Sequence, residues 1–213
     1  MHTSTLARMG DKLGGMDAKH WEEKYAATER LWSGEPNSII ASHVLPWAPG
    51  VALDVGCGEG RDAVWLAQRG WRVRGIDFSE TAISRMADAT AESGVADAVE
   101  GFVGDACGVI AEHGWRDHDL ATVSFIQSAD LPQILECVAS TIVPGGRMLV
   151  AAHAFALPWH PDTFVPWSAS DVIAAVDLPD FEVEKSSRVE TLLAARGVTR
   201  VDDVVVFRRR MAE

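Results

Sequence analysis

The stretch Leu53-Asp54-Val55-Gly56-Cys57-Gly58-Glu59-Gly60-Arg61 constrains this chain more than any other part of it. Three glycines at alternate positions follow a short apolar run, Val51 to Val55, and precede a segment with helical spacing that opens near Asp62 and includes Val64, Trp65 and Ala67. Lacking Cβ atoms, the glycines let the chain turn sharply between strand and helix. A ligand can then lie against bare backbone, near the free N–H groups of the helix start. Phosphate loops and dinucleotide folds use the same device, so the turn alone does not name its ligand.

Around it, short apolar runs alternate with longer helical segments, the pattern of a parallel sheet with helices on both faces. The second strand is expected over Trp71–Ile76. Ser79 is expected to N-cap a helix running to about Ser93, with Glu80 at its positive end and Ile83, Met86 and Ala87 at helical spacing. Further strands are expected over Ala98–Val103 and His118–Phe125. A helix from about Leu131 should end before the breaker Pro144-Gly145-Gly146, and Arg147–Ala152 should form the fifth strand. A proline-rich, aromatic stretch from Phe155 to Trp167 reads as a loop over the site, followed by a helix over Ser168–Val176 and closing strands at Phe181–Ser186 and Val204–Arg208. Residues 1–50 stand outside the alternation and read as helices packed on the core formed by 51–213, one domain overall.

Composition narrows the function. The 213 residues carry a formal net charge of −12, which repels a phosphate backbone, and the only dense basic run is Arg208-Arg209-Arg210. Nucleic acid is therefore not the expected partner, and the triplet reads as a solvated strand end. No apolar run reaches the roughly 18 residues of a membrane helix, and Met1–Gly15 lacks a signal-peptide core, so no membrane association and a cytoplasmic location are expected. Three widely separated cysteines, Cys57, Cys107 and Cys137, fit a reducing compartment and no metal site.

Spacing separates the candidate ligands of the glycine turn. No Gly-Lys-Ser/Thr closes it, which argues against ATP and GTP. Arg61 stands where a dinucleotide fingerprint wants a third glycine or alanine, making NAD the second choice. Gly75-Ile76-Asp77-Phe78-Ser79 places a carboxylate at the end of the second strand, where it can accept two hydrogen bonds from a ribose diol. Gly104-Asp105-Ala106 places another past the third. Taken singly, either aspartate can be only a helix cap or loop residue, and for Asp105 alone that reading is preferred.

Together these features resemble class I S-adenosylmethionine-dependent methyltransferases over about Val51–His153. The resemblance implies a Rossmann-like, doubly wound α/β fold with a seven-stranded sheet, mostly parallel with an antiparallel C-terminal strand. It implies that Asp54, Gly56, Cys57, Gly58 and Gly60 cradle the methionine part of S-adenosyl-L-methionine. Asp77 would bind the ribose, Phe78 would flank the adenine, Asp105 with Ala106 would read it, and Ser124 to Gln127 would line the methyl side. Leu31 to Asn37, together with Gly58 to Trp65, looks like the small-molecule branch near the tellurite-resistance and thiopurine-type methyltransferases. That likeness implies that the segment around Trp32 covers the cofactor, although Trp32 reads equally well as packing of an edge helix.

Methyl transfer from a sulfonium disperses positive charge and needs alignment in a dry pocket rather than a metal. A hydroxyl or amine acceptor must lose a proton, whereas a soft thiolate, selenium or tellurium centre needs little help. His153, at the end of the fifth strand, is the best-placed candidate base, although a strand-end histidine is more often a hydrogen-bonded structural residue. His160, His20 and Tyr25 are weaker candidates. Trp159, Phe164 and Trp167 can form an aromatic lid or pack on the sheet edge. The fourth strand ends in Ser124-Phe125-Ile126-Gln127-Ser128, without the Asn/Asp-Pro-Pro-aromatic signature of methylation on base amines. The expected function is methylation of a small molecule. A catalytically silent adenosylmethionine-binding module is the alternative of a different class, and an NAD-dependent oxidoreductase the less favoured one.

Overall fold

Apolar side chains on alternating positions of the central strands point to both sides of one sheet, and each side is covered by helices. In the last strand Val204 and Val206 pack into one core and Val205 and Phe207 into the other; in the first, Ala52 and Leu53 divide the same way. Burial on both faces explains why these strands read as continuous apolar runs. The computed structural model describes residues 18–28, 34–126, 128–160, 162, 164–193 and 196–211.

The seven strands are β1 (Val51–Val55), β2 (Arg72–Asp77), β3 (Val99–Val103), β4 (His118–Ser124), β5 (Ile142–His153), β6 (Phe181–Leu193) and β7 (Val198–Arg209), in the spatial order β3-β2-β1-β4-β5-β7-β6. β7 runs antiparallel to both β5 and β6, and the remaining pairs are parallel, as expected. Strand order reverses between β1 and β4, and the crevice beyond the carboxyl ends of strands at such a point is where open α/β sheets bind ligands. The helices are α1 (Ala18–Ala26), α2 (Ser38–Val44), α3 (Arg61–Ala67), α4 (Glu80–Glu92), α5 (Ala106–His113), α6 (Leu131–Ala139) and α7 (Ala169–Ala175).

Caps set several of these boundaries. Ser79 Oγ accepts from the Ala82 N–H and opens α4 as expected, and Ser168 with Asp171 forms a capping box on α7. Four elements depart from expectation. Pro144-Gly145-Gly146 does not precede β5 but lies inside it, where the pairing shifts between His118↔Ile142 and Leu120↔Arg147. Gly145, at φ 83°, absorbs that irregularity without breaking the strand. α5, capped by Asp105, occupies a stretch for which no helix range was expected.

β6 and β7 also extend well past the short runs expected, as a long antiparallel pair. β6 is the sheet edge, so its charged residues, Glu182 to Arg188 among them, face solvent and hide the strand pattern. A register shift between Val183 and Lys185 frees Glu184 to meet Arg147 of β5 at 2.7 and 2.8 Å.

Candidate active site

The glycine turn closes directly on the end of β1. The N–H groups of Gly56 and Cys57 donate to the Ile76 carbonyl of β2 at 2.8 and 3.1 Å, and the Gly58 N–H donates to Asp77 Oδ2 at 2.9 Å. Gly56, Gly58 and Gly60 all have positive φ, at 70°, 55° and 79°. This left-handed backbone is the physical reason for the Gly-x-Gly-x-Gly spacing.

A cleft of about 1230 Å³ opens over the turn at the switch point between β1 and β4. Of the ten residues expected at a cofactor, Asp54, Gly56, Cys57, Gly58, Asp77, Phe78, Asp105, Ala106 and Ser124 line it, and so does His153. Gly60 is the exception. A Cβ there would meet Met86 Cγ of α4 at 2.2 Å, so this glycine serves the close approach of α3 and α4. Gln127, Trp32 and the rest of Leu31–Ser33 lie outside the described residues.

Two polar atoms on the cleft wall are buried without a protein partner, Asp54 Oδ2 and Ser124 Oγ. Unpaired buried polar groups are rare enough to need an explanation, and on a cleft wall a ligand or water donor supplies one. The other Asp54 oxygen accepts from Thr122 Oγ1 of β4 at 2.7 Å. Burial, reinforced by the nearby Asp62 carboxylate, pushes the Asp54 carboxyl up to about 7. A bound cation would reverse much of that rise.

Asp77 is held from two sides, by the Gly58 N–H on Oδ2 and the Ser79 N–H on Oδ1 (3.0 Å). Each oxygen keeps a second lone pair for a ligand. Burial raises this carboxyl too, opposed by those backbone bonds. Asp105 caps α5, accepting from the Gly108 N–H at 2.9 Å, so its capping role is real while its residue also lines the cleft. Cys57 is buried, and burial beside Asp54 and Asp77 pushes its thiol well up, so it lines the site as an apolar group.

The N-terminal helices reach the same cleft through contacts that the sequence did not announce. Glu22 of α1 accepts from Ser79 Oγ at 2.5 Å and from Thr81 Oγ1, tying α1 to the start of α4 and placing Trp21 and Tyr25 on the cleft. Those two hydroxyls hold the Glu22 carboxyl below its usual range. Asp62 Oδ1 accepts the Asn37 N–H at 2.6 Å, which latches the start of α2, and Arg85 joins Glu59 (2.8 Å) to the Thr28 carbonyl (2.5 Å).

His153 lines the cleft beside the end of β4, its ring centroid 4.7 Å from that of Phe125. Phe125 itself adopts φ 57°, a strained conformation for an aromatic residue, at the end of β4. Of the two arrangements open to Trp159, Phe164 and Trp167, a lid or packing away from the site, the structure shows packing. Phe164 packs on His160 at 3.8 Å, the Trp167 indole N–H donates to the Ser128 carbonyl at 3.0 Å and its ring joins one core, and Arg196 lies over Trp159. None of the three lines the cleft. His160 Nδ1 accepts the Leu157 N–H at 3.2 Å, a loop brace, and burial followed by the neighbouring His153 lowers its pKa. His20 is exposed and away from the cleft, whereas Tyr25 is buried on it. No helix among the described residues is long and apolar enough to cross a membrane, and no metal-binding cluster occurs among them.

Comparison with known proteins agrees with this geometry. Residues 52–146 match the family described as a methyltransferase domain. Methyltransferase GfsG of Streptomyces halstedii is 33% identical over 125 residues, 58% of this chain and 42% of that protein. Ribosomal RNA small subunit methyltransferase C of Alcanivorax borkumensis is 43% identical over 47 residues, 22% of this chain and 14% of that protein. The chain thus spans less than half the length of either relative. Among solved structures, N-methyltransferase NodS from Bradyrhizobium japonicum, in complex with S-adenosyl-L-homocysteine, has a similar fold. Its TM-score is 0.69 at 16% identity, over 90% of this chain and 98% of that one. The likeness to the methyltransferase domain family thus covers residues 52–146, and the seven-stranded sheet around it has the fold of the solved NodS structure.

Proposed function

We propose that this chain is a class I S-adenosylmethionine-dependent methyltransferase that methylates a small molecule by in-line transfer. The observation that carries the reading is the cleft itself: a bare-backbone turn at the switch point, with two unpartnered buried polar atoms on one wall and a braced carboxylate on the other. Asp54 Oδ2 suits the ammonium of the methionine part, with Gly56, Cys57 and Gly58 offering backbone beside it. Asp77 suits the ribose diol, Phe78 the adenine face, and Asp105 with Ala106 the adenine edge. Gly60 supports the turn from behind. The donor supplies an activated methyl group when bound. The protein's part is to hold the nucleoside end, exclude water and align the acceptor.

A small acceptor fits a cleft partly covered by α1 and the start of α2, and the charge of −12 favours it over nucleic acid. α1 and α2 act on this reading as a cover to one domain, and the three free thiols suit a reducing, cytoplasmic setting. The methyltransferase match supports methyl transfer over the nicotinamide alternative.

The test is calorimetry with adenosylhomocysteine on the wild type and Asp77→Asn. Alanine is a poor choice here, because it would also strip two turn N–H groups of their acceptor. Asparagine keeps one acceptor oxygen and should weaken binding roughly tenfold, about the loss of one charge-assisted hydrogen bond. Wild-type protein that ignores adenosylhomocysteine would remove the assignment.

A further inference from the structure

Asp202 is an acid where the strand pattern wants none. It lies in β7 beside the apolar run Val204 to Phe207 and is fully buried. Its two oxygens are divided between two partners: Oδ1 meets His153 Nδ1 at 2.6 Å and Oδ2 accepts from Arg200 Nε at 2.7 Å. Register explains the meeting, since β5 and β7 pair His153 directly with Asp202. A carboxylate paired with a guanidinium only accepts hydrogen bonds, so the His153 proton sits on Nδ1. Nε2, on the opposite edge of the ring, then carries the lone pair. It makes no protein hydrogen bond among the described residues, and the side chain, 13% exposed, lines the cleft.

We infer that His153 and Asp202 form a general-base dyad and that the methyl acceptor is a hydroxyl compound, with an apolar or aromatic body. The inference rests on the methyltransferase reading above and extends it to the acceptor. A neutral amine attacks through its own lone pair and sheds its proton only after the transfer, and a thiol, near pKa 8.5, is already partly thiolate at neutral pH. A phenolic hydroxyl, near pKa 10, is neither, and gains most from a positioned base. The acceptor's O–H proton passes to His153 Nε2 while an oxygen electron pair forms the new C–O bond. The C–S bond breaks with its pair left on sulfur, and the imidazolium sheds its proton to solvent afterwards. Asp202, which does not touch the acceptor, is a positioning residue that fixes the tautomer and faces the imidazolium charge. Phe125, Trp21 and Tyr25 on the same cleft supply the surface for a flat acceptor.

The groups facing His153 are few. Asp202, with Arg200 behind it, comes from β7; His160, at 5.3 Å between ring centroids, comes from the loop after β5, with Lys24 of α1 acting on His160 in turn. Among the described residues, Phe125 and Phe164 also face its ring.

The test uses the full chain as wild type, His153→Gln, Asp202→Asn and Asp202→Glu. Long-range ¹H–¹⁵N spectra read the tautomer without any substrate. A proton on Nδ1 and none on Nε2 of His153 is expected in the wild type, with that preference lost in Asp202→Asn and restored in Asp202→Glu. A protonated Nε2 at pH 8 overturns the dyad. Labelled-methyl transfer is then measured on a panel of phenols, thiophenols and anilines. Transfer to phenols is expected, with kcat lowered roughly 10²-fold in His153→Gln at nearly unchanged KM and the rising limb of the pH profile abolished. Transfer confined to thiols or amines, transfer to nothing on the panel, or an undiminished His153→Gln overturns the proposal. Should the Asp202 variants not fold, His153→Gln decides alone. Adenosylhomocysteine affinity within about twofold of wild type in His153→Gln separates failure of the dyad from failure of the methyltransferase reading, because only the latter abolishes wild-type binding.

Discussion

At Asp54 a single carboxyl group joins stability to binding. Its ordinary pKa near 3.8 rises to about 7 because burial removes water from the charged form and Asp62 adds repulsion. A ligand ammonium at Oδ2 favours the carboxylate, so binding near pH 6 must expel up to about one proton. Affinity for adenosylmethionine should therefore climb with pH up to about 7, by as much as roughly tenfold per unit, and level off above. Calorimetry in two buffers of different ionisation enthalpy measures the proton directly; equal apparent enthalpies would show that Asp54 is not the ammonium's partner. Gly60 illustrates a different residue-level constraint. Gly60→Ala puts a side chain at φ 79° and its Cβ 2.2 Å from Met86 Cγ. The variant should lose roughly 1–3 kcal/mol in urea denaturation, with little direct effect on ligand contacts.

Among the elements, α1 is held by chemistry rather than by a broad apolar face. Its carboxylate, Glu22, sits on the hydroxyls of Ser79 and Thr81 at the N-terminus of α4, where the helix dipole also favours negative charge. Glu22→Ala should release α1, seen as faster amide exchange over residues 18–26. Removing Trp21 and Tyr25 from the cleft wall should weaken adenosylhomocysteine binding several-fold. Because its hydrogen bonds hold Glu22 below the usual glutamate range, the clamp is complete above that range and is lost as pH falls through it. Exchange rates for α1 that match those of the wild type would show that other contacts hold the helix.

Across the whole molecule, two buried groups at opposite ends of the sheet pull the acid profile in opposite directions. His118, at the start of β4, is fully buried against Trp115 and is pushed down to about 4 by burial and by Arg74. The unfolded chain binds its proton first, so His118 adds stability as pH rises from about 4 to 6.5. Asp54 does the reverse: its folded pKa is raised, and the stability of the protonated form is lost as pH rises from about 3.8 to 7. Asp54→Asn removes only the second effect. Relative to wild type, this variant should gain stability with rising pH, reaching a difference on the order of 3 kcal/mol above pH 7, while binding the cofactor less well. Urea denaturation at pH 4.5 and 8 measures it, and a pH-independent difference would mean that Asp54 ionises normally.

Local patterns in the sequence determined the parts of this protein governed by short-range physics. Left-handed backbone demands glycine, so Gly56, Gly58 and Gly60 marked the turn; two-sided burial demands continuous apolar runs, so β1, β2, β4 and the middle of β5 could be read directly. The strand ends then located Asp77 and His153. Tertiary structure alone decided what depended on distant partners. The charged edge strand β6 has no apolar signature because only one neighbour pairs with it, and the bulge that keeps Pro144-Gly145-Gly146 within β5 exists because β4 lies alongside. Gly60 proved to face Met86, and Glu22 found its hydroxyls 57 and 59 residues away. Asp202 is the clearest case. An acid beside an apolar strand run is a visible anomaly, but its meaning came from the antiparallel register that sets it against His153, 49 residues earlier in the chain.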